Sequence, residues 1–309
     1  MKNQRGKTMK IAVLMSTYNG EKFLRQQIES ILNQSGEFQL DLWVRDDGSR
    51  DNTCTILQEY ADQGKLHWYT GENLKPARSF LHLVRHVQGY DCYAFSDQDD
   101  VWYPDKLSRG LQQLQTVTGP AVYCSNARLV DAQLNYLGRD VYTKAPHTDF
   151  YSVTCASGIL GCTMMFNAEA ARLIQEKPMP EELRMHDCYL SIVCTLHDGT
   201  SFYDPIPSLD YRQHGNNVVG SCWTKWDALK NRIGQITRKR QMTIDKMAHS
   251  ICSNYPDAPN REKLEWLRSV AQYRNSFLSA AMLAVDRKPS YNSLNKSLTL
   301  RLAILLRNR

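Results

Sequence analysis

Tyr93-Ala94-Phe95-Ser96-Asp97-Gln98-Asp99-Asp100-Val101-Trp102 is the stretch on which the reading of this 309-residue chain turns. An apolar run enters a cluster of three carboxylates within four positions. Carboxylates so close repel one another, so the cluster is costly unless a cation or a metal-bound phosphate neutralises it. At an extended strand end, the Asp97-x-Asp99 spacing turns two side chains toward one hard cation while Gln98 points away. A second acidic pair, Asp46-Asp47-Gly48-Ser49, ends the earlier apolar run Leu42-Trp43-Val44. Open α/β sheets bind ligands at the carboxyl ends of their strands, so acidic pairs at two strand ends point to one site.

Outward from these pairs, the first hundred residues repeat a strand–helix rhythm. Ile11-Ala12-Val13-Leu14-Met15 reads as a buried strand, and the helix after it carries Leu24, Ile28, Ile31 and Leu32 on one stripe. Residues 40–44 predict a second strand and 53–61 a second helix. Leu66-His67-Trp68-Tyr69 is a short third strand, followed by a helix with Phe80, Leu83, Val84 and Val87, and residues 90–95 form the fourth strand. Units of this length with helical crossovers predict an α/β fold with a doubly wound, mostly parallel, Rossmann-like sheet. Pro104 marks the opening of a further helix with Leu107, Leu111 and Leu114 at helical spacing. Ala121-Val122-Tyr123-Cys124 is another strand. Gly158 and Gly161 bracket an apolar turn before residues 163–166, and residues 185–196 read as a helix opening on His186-Asp187.

A hydrophobic content of 42% and a charged content of 23% describe an ordinary globular protein, neither disordered nor fibrous. The net charge of +6 conceals an asymmetry: residues 1–220 hold 21 Lys/Arg against 26 Asp/Glu, and residues 221–309 hold 17 against 6. The basic tail is a separate feature whose partner should be anionic. Nine cysteines stand singly without a Cys-x-x-Cys, which predicts a reduced, cytoplasmic protein. Met9 reads as an alternative start or as the first native residue. The apolar run after the basic opening is too short for a signal peptide, and no stretch reaches the ~20 apolar residues of a membrane span.

Five motifs in order resemble the family-2 glycosyltransferases, whose catalytic domain has the A-type nucleotide-binding fold. They are Ser16-Thr17-Tyr18-Asn19, Asp46-Asp47-Gly48-Ser49, Ser96-Asp97-Gln98-Asp99-Asp100, His186-Asp187 and Gln213-His214-Gly215-Asn216-Asn217, between about Lys10 and Gly220. Their wording is most similar to bacterial rhamnosyltransferases of surface polysaccharides. The resemblance implies that Thr17, Tyr18 and Asn19 hold the nucleotide, with Asp46 accepting from the base and Asp47 assisting. It puts Asp97 near the ribose and makes Asp99 a ligand of Mg²⁺ or Mn²⁺, with His214 as a second ligand. Asp187 becomes the base that takes the acceptor hydroxyl proton in an inverting transfer. Asp100, Trp102, Gly161 and Arg212 are carried as contacts to the diphosphate or the acceptor. His186 stands where many relatives have Glu. Each motif also has a plainer reading: an Asp-Gly turn at Asp47-Gly48, an N-cap at Asp187, an exposed loop histidine at His214.

The expected organisation is a nucleotide-sugar-binding and catalytic domain over 9–220 and a basic helical region over 221–309. In the latter, Trp223, Trp226, Leu229, Ile233 and Ile236 share a face bordered by Lys225, Lys230, Arg232, Arg238, Lys239 and Arg240. Leu294, Leu298, Leu302 and Leu305 beside Lys296, Arg301, Arg307 and Arg309 repeat the pattern. These faces suit an anionic membrane surface, packing on the catalytic domain, or a homodimer. No base-stacking or groove-reading motif accompanies them, so nucleic acid is not an expected partner. The resemblance implies transfer of a sugar from a nucleotide-sugar donor, dTDP-rhamnose by wording, to a glycan or lipid-linked glycan. The absence of Gln-x-x-Arg-Trp favours single-sugar transfer. The competing readings are a sugar-nucleotide pyrophosphorylase and a non-catalytic nucleotide-sugar-binding scaffold.

Overall fold

The structure is a computed structural model that describes residues 8–156, 158–214, 243–291 and 294–308. Its central strand β1 (Met9–Thr17) sends Ile11, Val13 and Met15 into one apolar cluster and Ala12 and Leu14 into another, all without exposed surface. A strand buried on both faces requires helices on both sides of its sheet. Ile11, Val13, Leu14 and Met15 each contribute roughly 1.5–3 kcal/mol by leaving water.

β1 lies between β2 (Phe38–Asp46) and β4 (Cys92–Ser96), and β2 is bordered by β3 (His67–Thr70), all in parallel. The crossovers are α1 (Glu21–Leu32), α2 (Thr53–Asp62) and α3 (Lys75–His86). Beyond β4 comes β8 (Met165–Asn167), antiparallel to both β4 and β6 (Ala121–Val130), so β6 regains the direction of β4. β9 (Thr200–Arg212) runs parallel to β6, while β5 (Val101–Trp102) opposes β9 and β7 (Tyr136–Asp140) opposes β6. Among the described residues the sheet therefore reads β3-β2-β1-β4-β8-β6-β9-β5, with β7 beside β6 and six of nine strands pointing one way. The expected doubly wound, mostly parallel sheet is present.

On one face α1, α2 and α4 (Lys106–Leu114) cover Ile11, Val13 and Met15; on the other, α3, α5 (Phe150–Cys155), α6 (Ala168–Gln175) and α7 (His186–Leu196) cover Ala12 and Leu14. α8 (Ile244–Asn254) and α9 (Arg261–Gln272) add Ile244, Met247, Ile251, Leu264 and Leu267 to that second cluster. α10 (Phe277–Val285) and α11 (Leu294–Leu305) follow and pack against each other. The tail helices described are 9–12 residues each. The expected face built on Trp223, Trp226, Leu229, Ile233 and Ile236, and the basic residues around it, lie outside the described residues, as do Gly215, Asn216 and Asn217.

The sequence pattern does not predict β9. Pro205 and Pro207 lack ladder donors and argue against an interior strand, yet β9 lies between β6 and β5. The ladder accommodates them by shifting register between Ser125 and Asn126 and again between Asn126 and Arg128. Chain direction recovers, and Tyr211-Arg212 is delivered to the carboxyl ends of the other strands.

Candidate active site

The first loop after β1 is held by side chains from the two acidic motifs. Asp46 has no exposed surface. Its Oδ1 accepts from Thr17 Oγ (3.0 Å) and Ser49 Oγ (2.5 Å), and its Oδ2 accepts from the backbone N–H groups of Gly48 (3.0 Å) and Ser49 (2.8 Å). Gly48, at φ +81°, permits the tight turn that brings those donors round. A carboxylate so engaged has no acceptor left for a nucleotide base. Asp47, which pairs with Arg45, is the one that lines the cavity described below. The expected order of the two acids is therefore reversed, with Asp46 shaping the loop and Asp47 facing the ligand space.

Thr17 is likewise buried beneath the loop. Asn19 sits in the left-handed region at φ +48°, its N–H donating to Ser49 Oγ (2.8 Å) and its Oδ1 accepting from the Arg50 N–H (2.8 Å). Tyr18 is 47% exposed and open to a ligand. Gln98 does not point away. Its Oε1 accepts from the Tyr18 N–H (2.9 Å) and its Nε2 donates to the Tyr18 carbonyl (3.2 Å), which staples the two strand-end loops together. A Cβ at Gly20 would meet the Gln98 amide and push it off the Tyr18 backbone.

A cavity of about 640 Å³ opens between these loops and α7; Tyr18, Asp47, Asp97, Asp99, Gly161 and Asp187 all line it. A second hollow of about 460 Å³ lies beside it, lined by Lys22, Phe23 and His214 and sharing Tyr18, Gln98 and Asp99. Asp99 thus stands on the ridge between them. Its Oδ2 lies 2.7 Å from His214 Nε2, although 115 residues separate the two in sequence. Asp97, partly exposed, has its carboxyl pushed up to about 7 by burial and by the charges of Asp99 and Asp187.

Behind them, Asp100 is fully buried. Its Oδ1 accepts from the Arg212 N–H (3.3 Å), and the Cys162 thiol lies against the same carboxyl. Burial and the neighbouring acids hold it well above the usual carboxylate range. A positive charge is buried nearby in Lys106, itself without exposed surface, whose Nζ donates to the Cys162 carbonyl (2.8 Å) and lies 4.4 Å from the centre of the Trp102 ring. Burial brings this ammonium down to about 8. The sequence reading missed Lys106, though a charged residue on the apolar stripe of α4, beside Leu107 and Leu111, was the available signal.

Three expected contacts are corrected by this geometry. Asp100 and Trp102 are buried beneath the acidic loop and do not line the cavity. Arg212 is 2% exposed and lies over the Phe23 ring. Its guanidinium donates to the carbonyls of Asp99 (2.8 Å) and Ala132 (2.7 Å) and to Gln26 Oε1 (2.6 Å). It holds the backbone of Asp99 in place and presents nothing to a diphosphate.

Two donor sets here are candidates for a divalent ion. Asp97, Asp100 and Cys162 offer atoms within 4.8 Å of one another, but Lys106 already supplies a positive charge there and burial keeps the Cys162 thiol protonated. Asp99 with His214 fits better: one carboxylate and one imidazole from separate loops meet at the cavity's edge. That oxygen–nitrogen set suits Mn²⁺ and tolerates Mg²⁺.

Asp187 lies within the first turn of α7, not at its cap, which is Met185. Its Oδ1 accepts from the Cys188 N–H (2.6 Å), and burial raises its carboxyl to about 6. His186 beside it is wedged between Phe80 (ring centres 4.1 Å apart) and Phe95 (4.6 Å), and burial lowers it to about 3, so it is neutral.

The family described as glycosyl transferase family 2 matches residues 12–168, just over half of the chain. The chain belongs to glycosyl transferase family 2. It is therefore a glycosyltransferase, which displaces both the pyrophosphorylase and the passive-scaffold readings. The dTDP-rhamnosyl transferase RfbG of Shigella flexneri is 27% identical to this glycosyltransferase over 256 residues, spanning 78% of this chain and 85% of that protein. The crystal structure of S. aureus TarS residues 1–349 in complex with UDP-GlcNAc covers 89% of this chain and 81% of its own, with 14% identity and a TM-score of 0.50. That likeness establishes the A-type fold.

Gly161 of the glycosyltransferase leaves no room for a side chain. A Cβ there would lie 2.6 Å from His186 Nε2 and 3.4 Å from Asp187 Oδ2. The imidazole is held between two aromatic rings and cannot retreat. Gly161→Ala is expected to cost about 1–3 kcal/mol of stability by overpacking and to lower transfer at least about tenfold by displacing Asp187. Thermal melts and turnover numbers check it, and wild-type values for both would remove Gly161 from the site.

Proposed function

We propose that this enzyme transfers a single L-rhamnosyl unit from dTDP-rhamnose, with inversion, onto a growing, lipid-linked bacterial polysaccharide at the cytoplasmic face of the membrane. The observation that carries the reading is that Asp187, buried and raised toward neutrality, opens on the same cavity as Asp47, Asp97 and Asp99. The choice of donor is supported by the likeness to RfbG over most of both chains. In this reading residues 9–220 hold every group of the reaction and residues 221–309 form the basic helical region.

Tyr18 and Asp47 receive the nucleotide base, within a loop shaped by Thr17, Asn19 and Asp46. Asp97 meets the ribose. Asp99 and His214 hold Mg²⁺ or Mn²⁺, which when bound supplies positive charge for the diphosphate leaving group. Asp187 accepts the acceptor hydroxyl proton as that oxygen bonds the anomeric carbon and the bond from that carbon to the diphosphate breaks. Gly161 gives the acceptor close approach to Asp187.

The test is hydrolysis of a panel of nucleotide sugars by the purified enzyme, with and without Mn²⁺. dTDP-rhamnose is expected to turn over fastest and only with metal. Preference for a UDP- or GDP-sugar, or metal-independent turnover, overturns the corresponding part of the reading.

A further inference from the structure

α10 and α11 are apolar on more than the side they bury. In α10, Ala280, Leu283 and Ala284 face inward, while Phe277, Leu278, Met282 and Val285 are each at least 65% exposed. In α11, Leu300, Ala303 and Ile304 face inward, while Leu294, Leu298, Leu302 and Leu306, the last just past its end, are exposed at four-residue spacing. The two helices pack together, and Arg301 of α11 donates to the Ala284 carbonyl of α10. A helix that is apolar beyond the side it buries is ordinarily covered there as well, and adjacent exposed apolar stripes mark a docking surface.

The charge around these stripes identifies what covers them. Residues 287–309 carry six Lys or Arg and no Asp or Glu; Lys288 pairs with Glu262 and Arg301 turns to the Ala284 carbonyl, which leaves Arg287 and Lys296 among the border charges. A second copy meeting this face about a two-fold axis would set the basic border against itself, because an isologous contact pairs a patch with the same patch. A surface that is apolar inside and negative at its rim matches both features. Neither helix is long and apolar enough to cross a membrane.

We propose that the outer faces of α10 and α11 dock the enzyme on an anionic lipid bilayer, with the leucines, Phe277 and Met282 entering the interface and the basic residues meeting the headgroups. This is the geometry of an interfacial helix pair lying in the membrane plane. It holds whatever sugar is transferred, and it places a membrane contact on helices that follow the catalytic core.

Sedimentation of the full-length protein with vesicles of phosphatidylcholine alone, or mixed with phosphatidylglycerol, tests it. Binding is expected to the mixed vesicles, to weaken as salt rises, and to be slight on phosphatidylcholine. A variant carrying Leu278→Ser, Met282→Ser, Leu298→Ser and Leu302→Ser should bind at least about tenfold more weakly, with donor hydrolysis in solution unchanged. Lys296→Glu with Arg287→Glu, which leaves the apolar stripes intact, should weaken binding to mixed vesicles and flatten its salt dependence. Vesicle binding by the four-fold variant equal to wild type overturns the proposal. So does a wild-type dimer in solution that becomes monomeric in that variant, since the face would then belong to a second copy.

Discussion

Asp187→Asn is expected to bind the nucleotide sugar as tightly as wild type and to lose transfer by about 10²–10⁴-fold, the usual contribution of a positioned general base. The amide oxygen still accepts from the Cys188 N–H, so the first turn of α7 and the packing of His186 against Phe80 and Phe95 remain. What disappears is an oxygen able to take a proton. The pH profile separates this role from a structural one. A base works when deprotonated, and burial has raised the Asp187 carboxyl to about 6. Wild-type transfer should therefore fall as pH drops through about 6 and level off above it, while the residual rate of the variant should be flat across that window. Calorimetric titration with the donor supplies the control. A loss of donor affinity as large as the loss of rate would mean that Asp187 binds the donor and another group takes the proton.

The parts of the molecule that could be read in advance are those governed by short periods. The uninterrupted apolar run Ile11–Met15 and the stripes on α1 and α3 made the parallel half of the sheet legible, because both clusters are built from local pattern. The acidic loops were legible as a site because charge repulsion at a strand end needs a ligand. Which acid of an adjacent pair faces that ligand was not legible. Asp46 and Asp47 differ by one position, and the turn at Gly48 decides between them by aiming two backbone N–H groups at Asp46. Arg212 misled in a related way. It stands two positions before His214, yet it is the last residue of β9 and its guanidinium goes inward to the Asp99 carbonyl, whereas His214, past the strand's end, meets the Asp99 carboxylate. Lys106 and Gln98 depend on contacts across more than fifty residues, which no local window contains. β9 was hidden by two prolines that only a pair of register shifts can accommodate.

Asp99→Ala should abolish metal-dependent turnover, by at least about 10²-fold, because a bound metal supplies several kcal/mol of charge stabilisation to the departing diphosphate. The fold should survive. Alanine removes the carboxylate that meets His214 at the cavity's edge, whereas the Arg212 bond that braces the loop is made to the backbone carbonyl of residue 99 and persists. Removing one acid also relieves Asp97, whose raised carboxyl owes part of its shift to the Asp99 charge, so a melting temperature at or slightly above that of wild type is the expected companion result. Donor hydrolysis measured against a Mn²⁺ titration reads the effect directly. His214→Ala should shift that titration to higher metal concentration while leaving some turnover at saturation, since one of two ligands remains. Near-normal activity in Asp99→Ala, or a wild-type enzyme indifferent to EDTA, would leave the Asp99–His214 pair as a hydrogen bond between two loops and require the diphosphate to be neutralised by another group of the cavity.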